Sequence, residues 1–531
     1  MDPARAIAPP ETDLVRAVFE GLTELDAKTL TEKPAAAESW TVSDDFRTWI
    51  FHLRADARWS NGKPVVAEDF VRSWSRLAEL GDAVVHRDLL KNIVGFPLPK
   101  KNITPPSTDL LSANRELRIE PPTTTAPRAQ SGEQNSNSNA ETGPALPLFG
   151  VSATDARTLH VQLIAPDKDF AKLVAHPLFR PVFDAGTDLG DKQPNAGAIT
   201  NGAFHIAEVN TDGITLERSE TYWNRDAIKL ERVQFVSTEN AEQALKAYKS
   251  GDIDAVTNAD FEPLALKLLE PFDDFRRSTH AAINFYEVNH EKPPFDDRRV
   301  REALAIAIER DRLTEGEMEG FTQPAFSFLP FAANSEVKLV QDKDKAAGLL
   351  DEAGFPGGKD FPVIRLVVNR NETQQRVARA VARMWKQNLN LETEIVVKEN
   401  AEIELARNDG DYDLIRRGVV FPTADELMSI LAILKPPQHP SETATSSSNI
   451  GVEARDPQTS GDEKIEQRST PAESPDVTMS EGNAIYELWA IPLYFPTSYS
   501  LVKPYVSGFE MNSLDAPLLS DVSIDSEWQP K

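Results

Sequence analysis

Chemistry in this chain has to come from acids, bases and imidazoles, because its 531 residues include no cysteine. That removes disulfides, thiolate metal sites and a cysteine nucleophile together. The eight histidines are scattered, and none forms an i, i+4 pair on an expected helix. The segment "NHEKPP" (Asn289–Pro294) lacks the second histidine of a zinc-protease motif. The histidines therefore read as surface or structural groups rather than metal ligands. Paired acids such as Asp44-Asp45 and Asp273-Asp274 sit beside turns, where aspartate bonds its own backbone. The chain has no GxGxxG, no GxxxxGK[ST] and no GxSxG. No catalytic residue, metal or cofactor is expected, and no enzyme.

The densest charge lies in "PPFDDRRVREALAIAIERDR" (Pro293–Arg312). Its pattern predicts a helix rather than a site. Asp296 is placed as the N-cap and Asp297 in the first turn, with Phe295 and Val300 as a hydrophobic staple. Val300, Ala303, Leu304, Ala307 and Ile308 make one apolar stripe. The arginines and acids then form the solvated face, with Glu302–Arg299 and Glu309–Arg312 spaced as surface pairs.

A chain of this length needs more than one core. Its net charge of −27 argues against nucleic acid and against direct binding to an anionic membrane. No apolar run is long enough to span a bilayer. Two segments, about 100–147 and about 435–482, are rich in Ser, Thr, Pro, Gly and acids and lack apolar periodicity, so disordered insertions are expected there. Elsewhere strands and helices alternate. "TWIFHLRADARWS" reads as a strand ending at Asn61-Gly62, and "VVAEDFVRSWSRLAEL" as a helix. "TLHVQLI" and "ITLERS" read as strands, "AEQALKAYKSG" as a helix closed by Gly251, and "DIDAVT" as a strand. "KAAGLLDEAG", "VIRLVVN", "QQRVARAVARMWKQNL" and "ETEIVV" continue the alternation. The class is α/β with βαβ-like units.

Several stretches, in order, resemble the family 5 extracytoplasmic solute-binding proteins, the oligopeptide- and dipeptide-binding components of bacterial ABC importers. They include "VFEGLTELD" (Val18–Asp26), "AAESWTVSDDFRTWIFHLRADARWSNGKPVVAEDFVRSWSR" (Ala36–Arg76), "LVAHPLFRPV", "LERSETYWN", "YKSGDIDAV", "NFYEVNHEKPPFDDRRVREALAIAIERDRL" (Asn284–Leu313) and "IPLYFPTSYSLVKPYVSGF". The resemblance implies a two-lobed clamshell with an extra subdomain. Lobe I would take 1–28, 186–280 and 490–531, the extra subdomain 29–185, and lobe II 281–489. It also implies a peptide or related small polar solute as ligand, permease subunits as partners, a monomer, no cofactor, and periplasmic or extracytoplasmic placement. The start "MDPARAIAPPETDLVR" has no signal-type apolar core, and the family's first strand is missing before it. A start placed too far downstream would explain both.

The family's ligand segment corresponds to "DYDLIRRGVVFPTADEL" (Asp411–Leu427). Arg416 falls where an arginine meets the ligand carboxylate in some members, and Gly418 matches. Val419 stands at the aromatic position and Pro422 at that of the amine-binding aspartate. One inserted residue would instead make Phe421 the stacking aromatic and Asp425 the amine anchor, and this register is preferred because both functions return together. The competing role for Asp425 is to cap the helix that follows. Phe285, Tyr286 and Glu287 map to ligand-facing strand positions, with one face expected in the cleft and the other in the core. Trp40, Trp59 and Trp74 are expected as scaffold. The eroded segment also fits a second reading: a non-transport ligand-sensing or regulatory clamshell, intracellular or with a decayed site.

Overall fold

The computed structural model describes residues 1–96, 149–187, 189, 194–257, 259, 261–331, 338–434 and 480–528. The expected insertion at 100–147 lies outside these residues. So does the second, apart from its last three residues, which open the helix Glu481–Glu487 capped by Ser480.

The N-terminal half builds one body. An antiparallel sheet in the order Ala37–Val42, Thr48–Leu53, Thr158–Gln162, Val151–Asp155 carries the helix Ala67–Leu80 against it. Alternation puts Trp49, Phe51 and Leu53 on the buried face of Thr48–Leu53, where both rings meet Phe170. The strand stops at Leu53, short of the expected run to Asn61. Trp59 and Trp74 are buried scaffold, their indole N–H groups donating to Asp69 and to the Phe179 carbonyl. The helix Glu11–Val18 and the small sheet Phe204–Asn210, Gly213–Arg218, Arg232–Phe235 join the same buried cluster through Val15, Phe19, Phe204 and Leu216. Residues expected in lobe I and in the extra subdomain thus share one continuous core.

The second body is the α/β part. Ile364–Asn369 runs parallel to Thr393–Lys398 across the helix Glu372–Leu389, and parallel to Leu414–Val420 across Asn400–Asp409. These are the βαβ units anticipated from the alternation. The long helix is capped by Asn371 and closed by Asn390 in the left-handed region. Ala282–Val288 pairs antiparallel with Leu414–Val420.

The strand Ala490–Val502 extends this sheet on the other side of Ala282–Val288. Its first part pairs with Ala282–Val288 and Thr322–Pro324, and its last part with Phe275–Thr279 and Ala255–Val256. Ala255–Val256 is all of "DIDAVT" that forms a strand.

The charged stretch folds into the helix Arg298–Ile306, one residue later than expected, with Asp297 as the cap accepting from the Arg299 N–H. The apolar stripe is buried as predicted, and Glu309 pairs with Arg312. Glu302 instead pairs with Arg298 and Lys345. Two arginines expected on the solvated face are interior. Arg301 donates to the carbonyls of Phe295, Asp296 and Glu487. Arg310 is wholly buried and donates to the carbonyls of Ala305 and Pro492. The register between Ala282–Val288 and Ala490–Val502 slips between Asn284 and Phe285. Such a bulge takes backbone groups out of the ladder, and Arg310 supplies a donor there. Burial lowers its pKa to about 9, so the cation survives at neutral pH.

Arg310→Met should therefore destabilise the second body by about 3 kcal/mol in urea unfolding, because buried carbonyls lose a charged donor. Unchanged stability would show that the bulge is satisfied without it.

Candidate functional site

A cavity of about 640 Å³ opens between the two bodies. Ile7, Pro9, Arg16, His86 and His176 line it from the first, His280, Val420, Phe421 and Thr423 from the second, and Met428 from the helix between them. A smaller space of about 20 Å³ continues its inner end, bounded by Arg16, His176, Thr423 and Asn512.

The second-body wall is set by one strand. Leu414–Val420 is paired along its whole length with Ala282–Val288, but its other neighbour meets it only at Leu414 and Ile415. From Arg416 onward its second edge has no strand partner among the described residues, and it ends at the cavity with Val420 exposed. Alternation puts Arg416, Gly418 and Val420 on one face. The Arg416 guanidinium donates to Asn284 and Asn369 and lies beside Tyr494. Its Nε is buried with no partner, and among the described residues no carboxylate pairs with it. A Cβ at Gly418 would stand 3.0 Å from Arg416 Nη2, so the glycine gives the guanidinium room to fold across the strand.

The other expected residues are distributed differently. Phe421 lines the cavity, packed edge-on against Phe331. Phe285 and Tyr286 are both wholly buried, because the sheet is covered on both faces. Tyr286 packs on Trp385 and Phe285 lies under Arg417. In this arrangement neither face of the strand reaches the cavity. Glu287 takes hydrogen bonds from Arg407, Arg417 and Tyr412. Burial opposes its charge, but the two guanidiniums outweigh it and hold the carboxyl below its ordinary range.

Asp425 is completely buried and caps the helix Glu426–Ile433, accepting from the Met428 N–H at 2.6 Å. Beside it lies Asp167, whose Oδ1 accepts from the Asp169 N–H. The two carboxyl groups act on each other's charge, and the Oδ2 of each is buried without a hydrogen-bond partner. Two acids can share such a site only by holding a proton between them. Burial pushes Asp167 up to about 6. Burial and then the Asp167 charge push Asp425 well above the usual range. Lys168 reaches Glu426 at 2.7 Å next to this pair. The helix itself is shared, with Met428 in the first core and Ile430 and Ile433 in the second.

Sequence reasoning missed the first-body wall. His176 Nδ1 accepts from the Leu178 N–H at 3.1 Å, and the His86 ring stands edge-on at 4.9 Å. Burial first, then His86, Arg16 and Arg180, hold His176 well below its ordinary pKa, so the imidazole is neutral and carries its proton on Nε2. Arg16 Nη1 donates to Asp13 at 3.2 Å, and burial pushes Asp13 up to about 7. His280 stands 2.7 Å from Asp515, at ion-pair distance without hydrogen-bond alignment. "LVAHPLFRPV" was a family signature, but only the fold brings it opposite Thr423.

Two bodies tied together by the helix Glu426–Ile433, with a cleft between them, define a solute-binding clamshell. Residues 31–439 match the family model described as bacterial extracellular solute-binding proteins, family 5 Middle, and the chain belongs to that family. It is 29% identical to the periplasmic oligopeptide-binding protein OppA of Escherichia coli, over 96% of this chain and 87% of that protein. It is also 29% identical to the periplasmic murein peptide-binding protein MppA of Escherichia coli, over 97% and 88%. Among solved structures it superposes on the unliganded open form of MppA with a TM-score of 0.71 at 26% identity, covering 98% of this chain and 94% of that one.

The shared proton gives a signed pH dependence. A carboxyl whose folded pKa is raised stabilises the fold fully below its unfolded pKa, and that contribution is lost as pH rises through the folded value. The melting temperature should fall by several degrees from about pH 5 to about pH 8. Asp425→Asn, whose amide can donate to Asp167, should flatten that slope in thermal unfolding; an unchanged slope would place the titration elsewhere.

Proposed function

We propose that this chain captures peptides between its two bodies and delivers them to the permease subunits of an ABC importer, on the extracytoplasmic side. The observation that carries this is the unpaired edge of Leu414–Val420 at the cavity. An extended peptide adds to such an edge through its main chain, so affinity is largely independent of sequence. Closing of the two bodies would bury the ligand and present a changed surface to the permease. No acid, base or nucleophile pair is required for this work. In this reading lobe II begins near residue 281 and the chain from near 490 returns to lobe I.

Arg416 would take the ligand's carboxylate. It is a half-buried cation held by two neutral amides, and charge-assisted bonds to a carboxylate are the strong ones. Gly418 would keep it free to swing, and Phe421 would offer an apolar contact. Phe285, Tyr286 and Glu287 would then support the strand from behind. The sensor alternative has no observation of its own to favour it.

Native mass spectrometry of the purified protein should show bound peptides, and calorimetry should show binding that Arg416→Met weakens about tenfold for peptides with a free carboxylate but leaves unchanged for their amides. Absence of any peptide binding would overturn the reading.

A further inference from the structure

Peptides carry an ammonium and a carboxylate, and the cleft is not symmetric toward them. Among the described residues lining the cavity the one acid is Asp88, and Lys91 neutralises it at 2.8 Å. The other acids near the cleft are already engaged, including Glu24, which borders the small space beside Arg16 and His176 and is held by Arg180. Asp425 caps a helix and shares a proton with Asp167. Asp13 is bonded to Arg16, Asp515 stands against His280 and accepts from Ser498, and Glu287 is held by two arginines.

Positive and donor groups are plentiful by contrast. Three of the chain's eight histidines meet at this one cavity, together with Arg16, in a protein whose net charge is −27. His176 is the most defined of them. Its Nδ1 is occupied by the Leu178 N–H, which leaves Nε2–H as a donor with no protein partner among the described residues. Arg16 lines both the cavity and its inner extension beside His176.

We propose that this cleft selects its peptides by their anionic groups and does not read the N-terminal ammonium: its ligands are acidic or N-blocked peptides, with Arg16 and His176 as the specificity-determining pair that receives an acidic side chain. This rests on the peptide-binding reading above. The geometry gives the acid two donors of different kinds, a guanidinium fixed by Asp13 and an imidazole fixed by a backbone N–H. Both are set before the ligand arrives, so little ordering is spent on binding. A ligand ammonium would meet imidazoles and an arginine instead of a counter-charge.

Calorimetry with Ala-Glu-Ala, acetyl-Ala-Glu-Ala and Ala-Gln-Ala decides it. Acetylation should change the affinity by less than about threefold, and replacing Glu by Gln should weaken it about tenfold. His176→Gln should lower the Glu-over-Gln preference several-fold, through the loss of Ala-Glu-Ala affinity. Arg16→Lys should do the same, with circular dichroism as the check on folding for both variants. If Ala-Gln-Ala binds as well as Ala-Glu-Ala, or acetylation abolishes binding, the inference fails while the peptide reading stands. If none of the three peptides binds and none copurifies, the peptide reading fails and takes the inference with it.

Discussion

Everything in the second half of the molecule depends on the strand Ala490–Val502 running through one sheet along its whole length. Its first residues are locked into the second body by Ala282–Val288, and its last residues belong to the sheet with Phe275–Thr279. A strand is stiff along its length but bends where its ladder is irregular, and this ladder slips opposite Asn284–Phe285. The connection is therefore built of hydrogen-bonded sheet rather than loose linker. Arg310, buried under the slip with its donors on Pro492 and Ala305, shows how the irregularity is kept without leaving a carbonyl unpaired.

The second organising fact is where charge has been spent. The protein carries many acids, yet those beside the cleft are capping, paired or sharing a proton. What remains available on its walls is cationic or a neutral donor: Arg16 and His176. The buried carboxyl pair belongs to the same economy. Asp425 cannot leave its helix cap to meet a ligand without stranding the Met428 N–H and the proton it shares with Asp167. The acid that the sequence offered as an amine anchor is therefore committed to holding the two bodies' common helix in place.

Much of the fold was legible in the residues. Periodicity located Ala67–Leu80, Glu372–Leu389 and the parallel strands beside the latter, because apolar spacing there is regular and capped by Asn371 and Asn390. The charged stretch at Pro293–Arg312 was read correctly as helix. It was misread in two of its arginines, since nothing local shows that a distant bulge needs a donor. The site was harder. Arg416 and Gly418 could be found because they lie in one strand with a recognisable pattern. Arg16, His86, His176 and His280 come from four separate segments, and no spacing relates them. Asp167 was invisible for the same reason: its meaning depends wholly on Asp425, far away in the chain.

The helix Glu426–Ile433, with one face in each core, also fixes how the cleft can be filled. Points near a pivot travel little when a jaw swings, and points far from it travel much. Thr423, just before this helix, borders both the larger cavity and the small space beside Asn512, whereas the wall from Val85 to Lys91 borders only the larger cavity. A ligand would be gauged closely beside Thr423 and loosely along the far wall.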